Sequence, residues 1–188
     1  MIVTAIMGVV TGIAVLTIST ARQGLIGDGA MRVVLAQMNQ AKELAITQRR
    51  NMRLTFTGTN SMQIVREEVP GPTLTTLSSV PFENSLQFLK PASVPDLAYA
   101  GNIPTLNELA AVASPSLSTS TAVAFGAATT QMRFSPDGTL VDQDGTALNG
   151  TVFVALVNQA LSTRAVAIFG STGRIRAYRW DGRNWKPV

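Results

Sequence analysis

The 188-residue chain contains neither cysteine nor histidine, which excludes disulfide staples, thiol catalysis, cysteine–histidine zinc sites and histidine-based triads. Charged residues make up only 14%, against roughly 25% in ordinary soluble domains, and the net charge of +4 points any electrostatic partner toward anions. The length accommodates one domain, or one domain with an appendage.

From Met1 to Ala21 no residue is charged, and Arg22 is the first that is. A helix rises about 1.5 Å per residue, so about 20 residues cross a hydrocarbon core of about 30 Å. Ile2, Ile6, Val9, Val10, Ile13 and Leu16 carry the apolar character, and Gly8, Thr11 and Gly12 suit close helix–helix contact in lipid. The competing reading is a cleaved secretory signal. Against it, the run exceeds the ~7–15 apolar residues of a signal, and no basic stretch precedes it. We expect a membrane-inserted helix over residues 1–22.

The helical pattern continues. Met31, Val34, Leu35, Met38, Ala41 and Ala45 recur at the spacing of an amphipathic helix, so residues 23–51 should lay one face on a globular body. Gly24, Gly27 and Gly29 each weaken a helix by roughly 1 kcal/mol relative to alanine, which predicts a bend or an extended stretch between Gln23 and Gly29, the competing reading being one continuous, slightly curved helix.

A β-rich head is expected over residues 52–188. Met52–Thr57 and Ser61–Arg66 read as a hairpin around Gly58-Thr59-Asn60. Residues 69–122 hold seven of the nine prolines and the Ser114–Thr121 hydroxyl tract. That texture disfavours sheet and reads as a long insertion, with one short helix near Thr105–Ala113. Strands return at Gln131–Phe134, Thr151–Val157, Arg164–Phe169 and Gly173–Trp180, with turns at Pro136-Asp137-Gly138 and Asp144-Gly145. Thr151–Val157 is apolar on both faces, as a central strand should be. The expected fold class is α+β, a long N-terminal helix packed on an antiparallel sheet.

Three phrases carry a family resemblance. Ala41-Lys42-Glu43-Leu44-Ala45-Ile46 and the residues up to Asn51 resemble an "A-R/K-x-x-A-I-x-x-R/N" helix end. Phe134-Ser135-Pro136-Asp137-Gly138 resembles "F-x-P-x-G", and Gly173-Arg174-Ile175-Arg176 resembles "G-R-x-R". Together with the apolar helix, the chain is similar to the type IV pilin and type II secretion pseudopilin superfamily, in its minor pseudopilin H/FimT-like branch. The resemblance implies a structural minor subunit without catalytic, cofactor or metal site. It would sit single-pass in the bacterial inner membrane with a periplasmic head, or in a surface pilus or pseudopilus. Its partners would be other pilins of the filament, the inner-membrane assembly platform and, before assembly, membrane lipid. A major, filament-forming pilin is the further alternative. The family's basic leader, its glycine and the glutamate at the fifth mature position are not seen, and we expect the sequence to start a few residues late, the alternative being a divergent subunit.

Chemistry concentrates at the C-terminus. Arg164, Arg174, Arg176, Arg179, Arg183 and Lys186 stand against one acid, Asp181, and strand alternation places Arg174, Arg176, Tyr178 and Trp180 on one side. Guanidinium groups interleaved with aromatics suit a phosphate backbone and unstacked bases. By resemblance, the FimT-like proteins use this region as DNA receptors, which makes DNA a candidate partner. The competing reading is a solvated basic strand, or one that pairs with acids of a neighbouring subunit. The acidic stretch Asp137, Asp142 and Asp144 invites a calcium reading, since oxygen ligands at alternate positions can converge on a cation, but the closing glutamate is missing, so a plain turn is expected. Glu67-Glu68 reads as a charged strand end, without nucleophile context.

Overall fold

The computed structural model describes residues 2–71, 73–83, 85–95, 97, 130–141, 145, 147 and 150–188, with side-chain surroundings described from Arg22 onward except at 130, 131 and 171. Among the described residues one α-helix, α1 (Ile2–Gln48), leads into ten strands. They are β1 (Met52–Thr57), β2 (Ser61–Glu67), β3 (Leu74–Pro81), β4 (Leu86–Gln87) and β5 (Thr130–Phe134). There follow β6 (Leu140–Val141), β7 (Gly150–Leu156), β8 (Gln159–Phe169), β9 (Arg174–Trp180) and β10 (Trp185–Pro187). They form two antiparallel sheets, ordered β3-β2-β1-β5-β6 and β10-β9-β8-β7-β4.

Both sheets turn an apolar face to the helix. Met31, Val34, Met38, Ala41 and Ala45 are buried, the stripe expected from the 3.6-residue period, and Leu35 is half-buried. They meet Leu54, Phe56, Met62 and Ile64 of the first sheet and Val152, Val154, Val166 and Ile168 of the second in one core. β7 is buried along its whole length between β8 and β4, as its unbroken apolar sequence requires.

The expected extended stretch is absent, since α1 runs unbroken through Gln23–Gly29 as one continuous helix. A Cβ on Gly27 would stand 2.3 Å from the Ser162 carbonyl oxygen. That glycine lets β8 approach the helix backbone, and the tertiary contact outweighs its low propensity. The proline-rich region also holds more sheet than expected. β3 lies at a sheet edge, where its outward N–H groups carry no ladder and flanking prolines cost no bond. β8 begins five residues earlier than its apolar run suggested. The expected helix at Thr105–Ala113 lies outside the described residues.

Ile2, Ile6, Val9, Val10, Ile13 and Leu16 belong to α1 by backbone, while their side chains lie outside the described set. Among the described residues no helix is long and apolar enough to cross a membrane.

Candidate functional site

The three sequence phrases meet at one place. The Lys42 ammonium on α1 donates to the Gly173 carbonyl oxygen at 2.7 Å. Gly173 has φ 58° and closes the 3-10 turn Gly170–Thr172, donating its N–H to the Gly170 carbonyl. A Cβ there would lie 2.1 Å from the Gly138 carbonyl oxygen, and one on Gly138 would lie 2.8 Å from the Ile46 side chain. Helix end, Pro-Asp-Gly turn and the glycine before the arginines therefore form one packing knot at the far end of the head. It is a structural device in which only glycine fits at two positions.

The turn is internally satisfied. Asp137 accepts from the Ser135 hydroxyl, from the Thr139 N–H at 3.0 Å and from the Thr139 hydroxyl at 2.8 Å. The Ser135 hydrogen bond first, then those from Thr139, hold its carboxyl down to about 2. Asp142 and Asp144 lie outside the described residues, and no cluster of three or more metal-binding side chains occurs among the described ones.

At the opposite end the head clamps the helix. Arg164, 1% exposed, donates from Nε to Asp28 at 2.6 Å. Its two terminal nitrogens reach the carbonyls of Gly24 at 2.8 Å, Leu161 at 3.0 Å and Thr163 at 2.9 Å. Sequence reasoning counted Arg164 among the C-terminal basic residues, and the structure sets it apart as a buried tie to α1. A buried guanidinium needs a carboxylate and carbonyl partners, and α1 supplies both. Beside the clamp, Leu25, Ile26 and Val33 of α1 face Val80 and Phe82 across an apolar groove of about 520 Å³.

The C-terminal basic residues divide between two faces. Arg174 and Arg176 lie on the outer side of β9 with Tyr178 and Trp180, as alternation predicts, Arg174 exposed and Arg176 half-buried. The aromatics, however, are not open to a ligand. Tyr178, Trp180 and Trp185 are buried with Phe153 in a second core, under Val94 and Leu97. The Trp185 indole N–H donates to the Pro95 carbonyl at 3.1 Å, which ties that covering segment down. Base stacking on Tyr178 and Trp180 is therefore excluded in this conformation, because their faces already pack against the chain.

Arg179 lies opposite Arg164 in the β8–β9 register and opposite Lys186 in the β9–β10 register, so this row shares the helix-side face. Asp181 accepts from the N–H groups of Asn184 at 2.7 Å and Arg183 at 2.8 Å, and from Lys186 Nζ at 2.9 Å. These contacts, with the Asn184 amide first, hold its carboxyl well below the usual range.

On the outer face of the first sheet, Glu67 joins Arg53 of β1 and Arg133 of β5, the latter at 3.0 Å. Burial pushes the Glu67 carboxyl up, but the hydrogen bonds from Arg53 and then Arg133 outweigh it and leave it lowered. Its charged strand end is thus a cross-strand tie.

With this geometry established, a family model for the type II transport protein GspH matches residues 30–173, well over half of the chain. The chain belongs to the GspH family. It is therefore a pilin-like protein of type II secretion, in a family that is structural and non-enzymatic. The family works with other pseudopilins in the pseudopilus, and its setting is the inner membrane and that filament. The match opens at Ala30 and closes on Gly173, so it takes in the packing knot and leaves Arg174–Lys186 outside. The fold also has a likeness to the crystal structure of the Pseudomonas aeruginosa type IV minor pilin FimU, at 14% identity and a TM-score of 0.48, over 85% of this chain and 91% of that one. No curated protein matches the sequence.

Proposed function

We propose that the chain is a minor pseudopilin subunit that initiates, caps or regulates a filament through its N-terminal helix. The observation that supports this most directly is the arrangement of α1. The lowest described tie between head and helix is the Arg164 bond to Gly24, and the uncharged run Met1–Ala21 precedes it. A stretch apolar all round needs lipid or other helices about it, and exchanging one for the other on assembly is not prohibitive. Copy number tests the reading. A few copies per isolated filament is the expected result. Stoichiometric amounts along its length would make the chain a major pilin instead.

A second reading, a DNA-binding subunit, draws support from Arg174 and Arg176. Neither forms an ion pair among the described residues, and both stand toward the end of the head away from the uncharged run. Double Arg174→Gln/Arg176→Gln should abolish salt-dependent retention on DNA if this reading holds. Retention unchanged by the double substitution would remove it.

A further inference from the structure

The clamp end of the head carries a second arrangement. Three elements converge there: α1 near Arg22–Gly27, the β7–β8 turn, and the β9–β10 turn. The Arg164 bonds to Gly24 and Leu161 place the start of β8 beside the helix. The close approach of Gly27 to Ser162 does the same, and a Cβ on Gly182 would lie 3.3 Å from Leu161. The side chains left outward are of two kinds. Leu25 is 72% exposed, Val157 46% and Leu161 38%. Arg22, Arg179, Arg183 and Lys186 are exposed cations.

The charges there are unbalanced. Arg164, Arg179 and Lys186 stand directly opposite one another across three strands, an arrangement of like charges that disfavours itself. Asp28 matches Arg164, and Asp181 serves its own turn and Lys186. Arg179, Arg183 and Arg22 form no ion pair among the described residues. Glu83 lines the groove on the other flank of α1. Exposed aliphatic side chains at the same end of the head as exposed cations are what a bilayer surface with anionic headgroups accepts, apolar tips dipping in and guanidinium groups meeting phosphates.

We propose that this end of the head is a docking surface for an anionic lipid bilayer, seated on the membrane from which the subunit is later extracted. The surface lies one helix turn beyond Ala21, so an inserted Met1–Ala21 helix would deliver it to the headgroup layer. This inference rests on the membrane-anchored reading above. The opposite end, at Lys42 and Gly173, is eighteen helix residues further along, about 27 Å away. That exceeds several Debye lengths of about 8 Å, so Arg174 and Arg176 do not feel the same surface.

Because the chain has no cysteine, a single thiol is a unique label. The full chain is placed in nanodiscs of phosphatidylcholine, alone or mixed with phosphatidylglycerol, with bimane on Asn158→Cys or, as the distal control, on Thr172→Cys. Headgroup spin-labelled lipid should quench the Asn158→Cys label strongly only with phosphatidylglycerol, and the control in neither. Adding Arg179→Gln/Arg183→Gln should lower the docked-to-free ratio on the order of ten-fold. Co-migration with the discs reads helix insertion separately, so failure to co-migrate sinks the anchored reading rather than docking alone. Co-migration with equal quenching at both sites, or with no dependence on phosphatidylglycerol, overturns the docking surface. Release by duplex DNA at low salt overturns it as well, and assigns these cations to nucleic acid.

Discussion

The Lys42 ammonium donates to the Gly173 carbonyl oxygen at 2.7 Å, joining the helix end to the turn before β9. This bond explains why three separated sequence phrases belong together. Gly138 and Gly173 have φ of 84° and 58°, and a Cβ on Gly173 would collide with the Gly138 carbonyl oxygen, while one on Gly138 would press on the end of the Ile46 side chain.

Gly173→Ala should therefore cost about 2–4 kcal/mol, combining a left-handed backbone with a backbone clash. Gly58→Ala, at φ 62° with nothing within 4 Å, should cost only about 1 kcal/mol. Urea unfolding of both variants checks the difference.

Two glycines on α1 should respond in opposite directions. Gly27→Ala drives a methyl into the Ser162 carbonyl and should destabilise by about 2 kcal/mol or more, against its better helix propensity. Gly29 has nothing within 4 Å, so Gly29→Ala should stabilise by about 0.5–1 kcal/mol. Thermal melts of the two variants should shift in opposite senses.

Asp28→Ala leaves the buried Arg164 guanidinium without its carboxylate and should cost about 3 kcal/mol. In an Arg164→Met background the same substitution should cost far less, because no stranded charge remains. A double-mutant cycle by denaturant unfolding reads the coupling, expected above about 1 kcal/mol.

Stability should be flat across neutral pH and fall only in acid. The chain has no histidine or cysteine to titrate near neutrality. Asp137, held down to about 2, is lowered on folding, and so are Asp181 and Glu67. A lowered folded-state pKa contributes stability that is present above the unfolded value and lost as pH falls through the folded one. The urea midpoint should therefore hold steady above about pH 5 and drop between about pH 4 and 2. Asp137→Asn should flatten part of that drop.

The helix stripe Met31–Ala45 and the central strand β7 were legible because periodicity and unbroken apolarity are local signals of burial. The clamp was not. Asp28 and Arg164 are 136 residues apart, and a lone arginine in a strand reads as surface until its partner is placed. The glycines of Gly24–Gly29 misled in the same way. Propensity is a local rule, whereas Gly27 answers to Ser162 on another element. Alternation placed Tyr178 and Trp180 on the correct side, but their cover comes from Val94 and Leu97, within the stretch read as an insertion.

Membrane extraction of the full chain tests the central claim most directly. If the uncharged N-terminal helix lives among lipid tails or sister helices, the protein stays with the membrane pellet through an alkaline carbonate wash and leaves it only with detergent. A monodisperse monomer in detergent-free buffer, with Met1–Ala21 protected inside its own head, would contradict it.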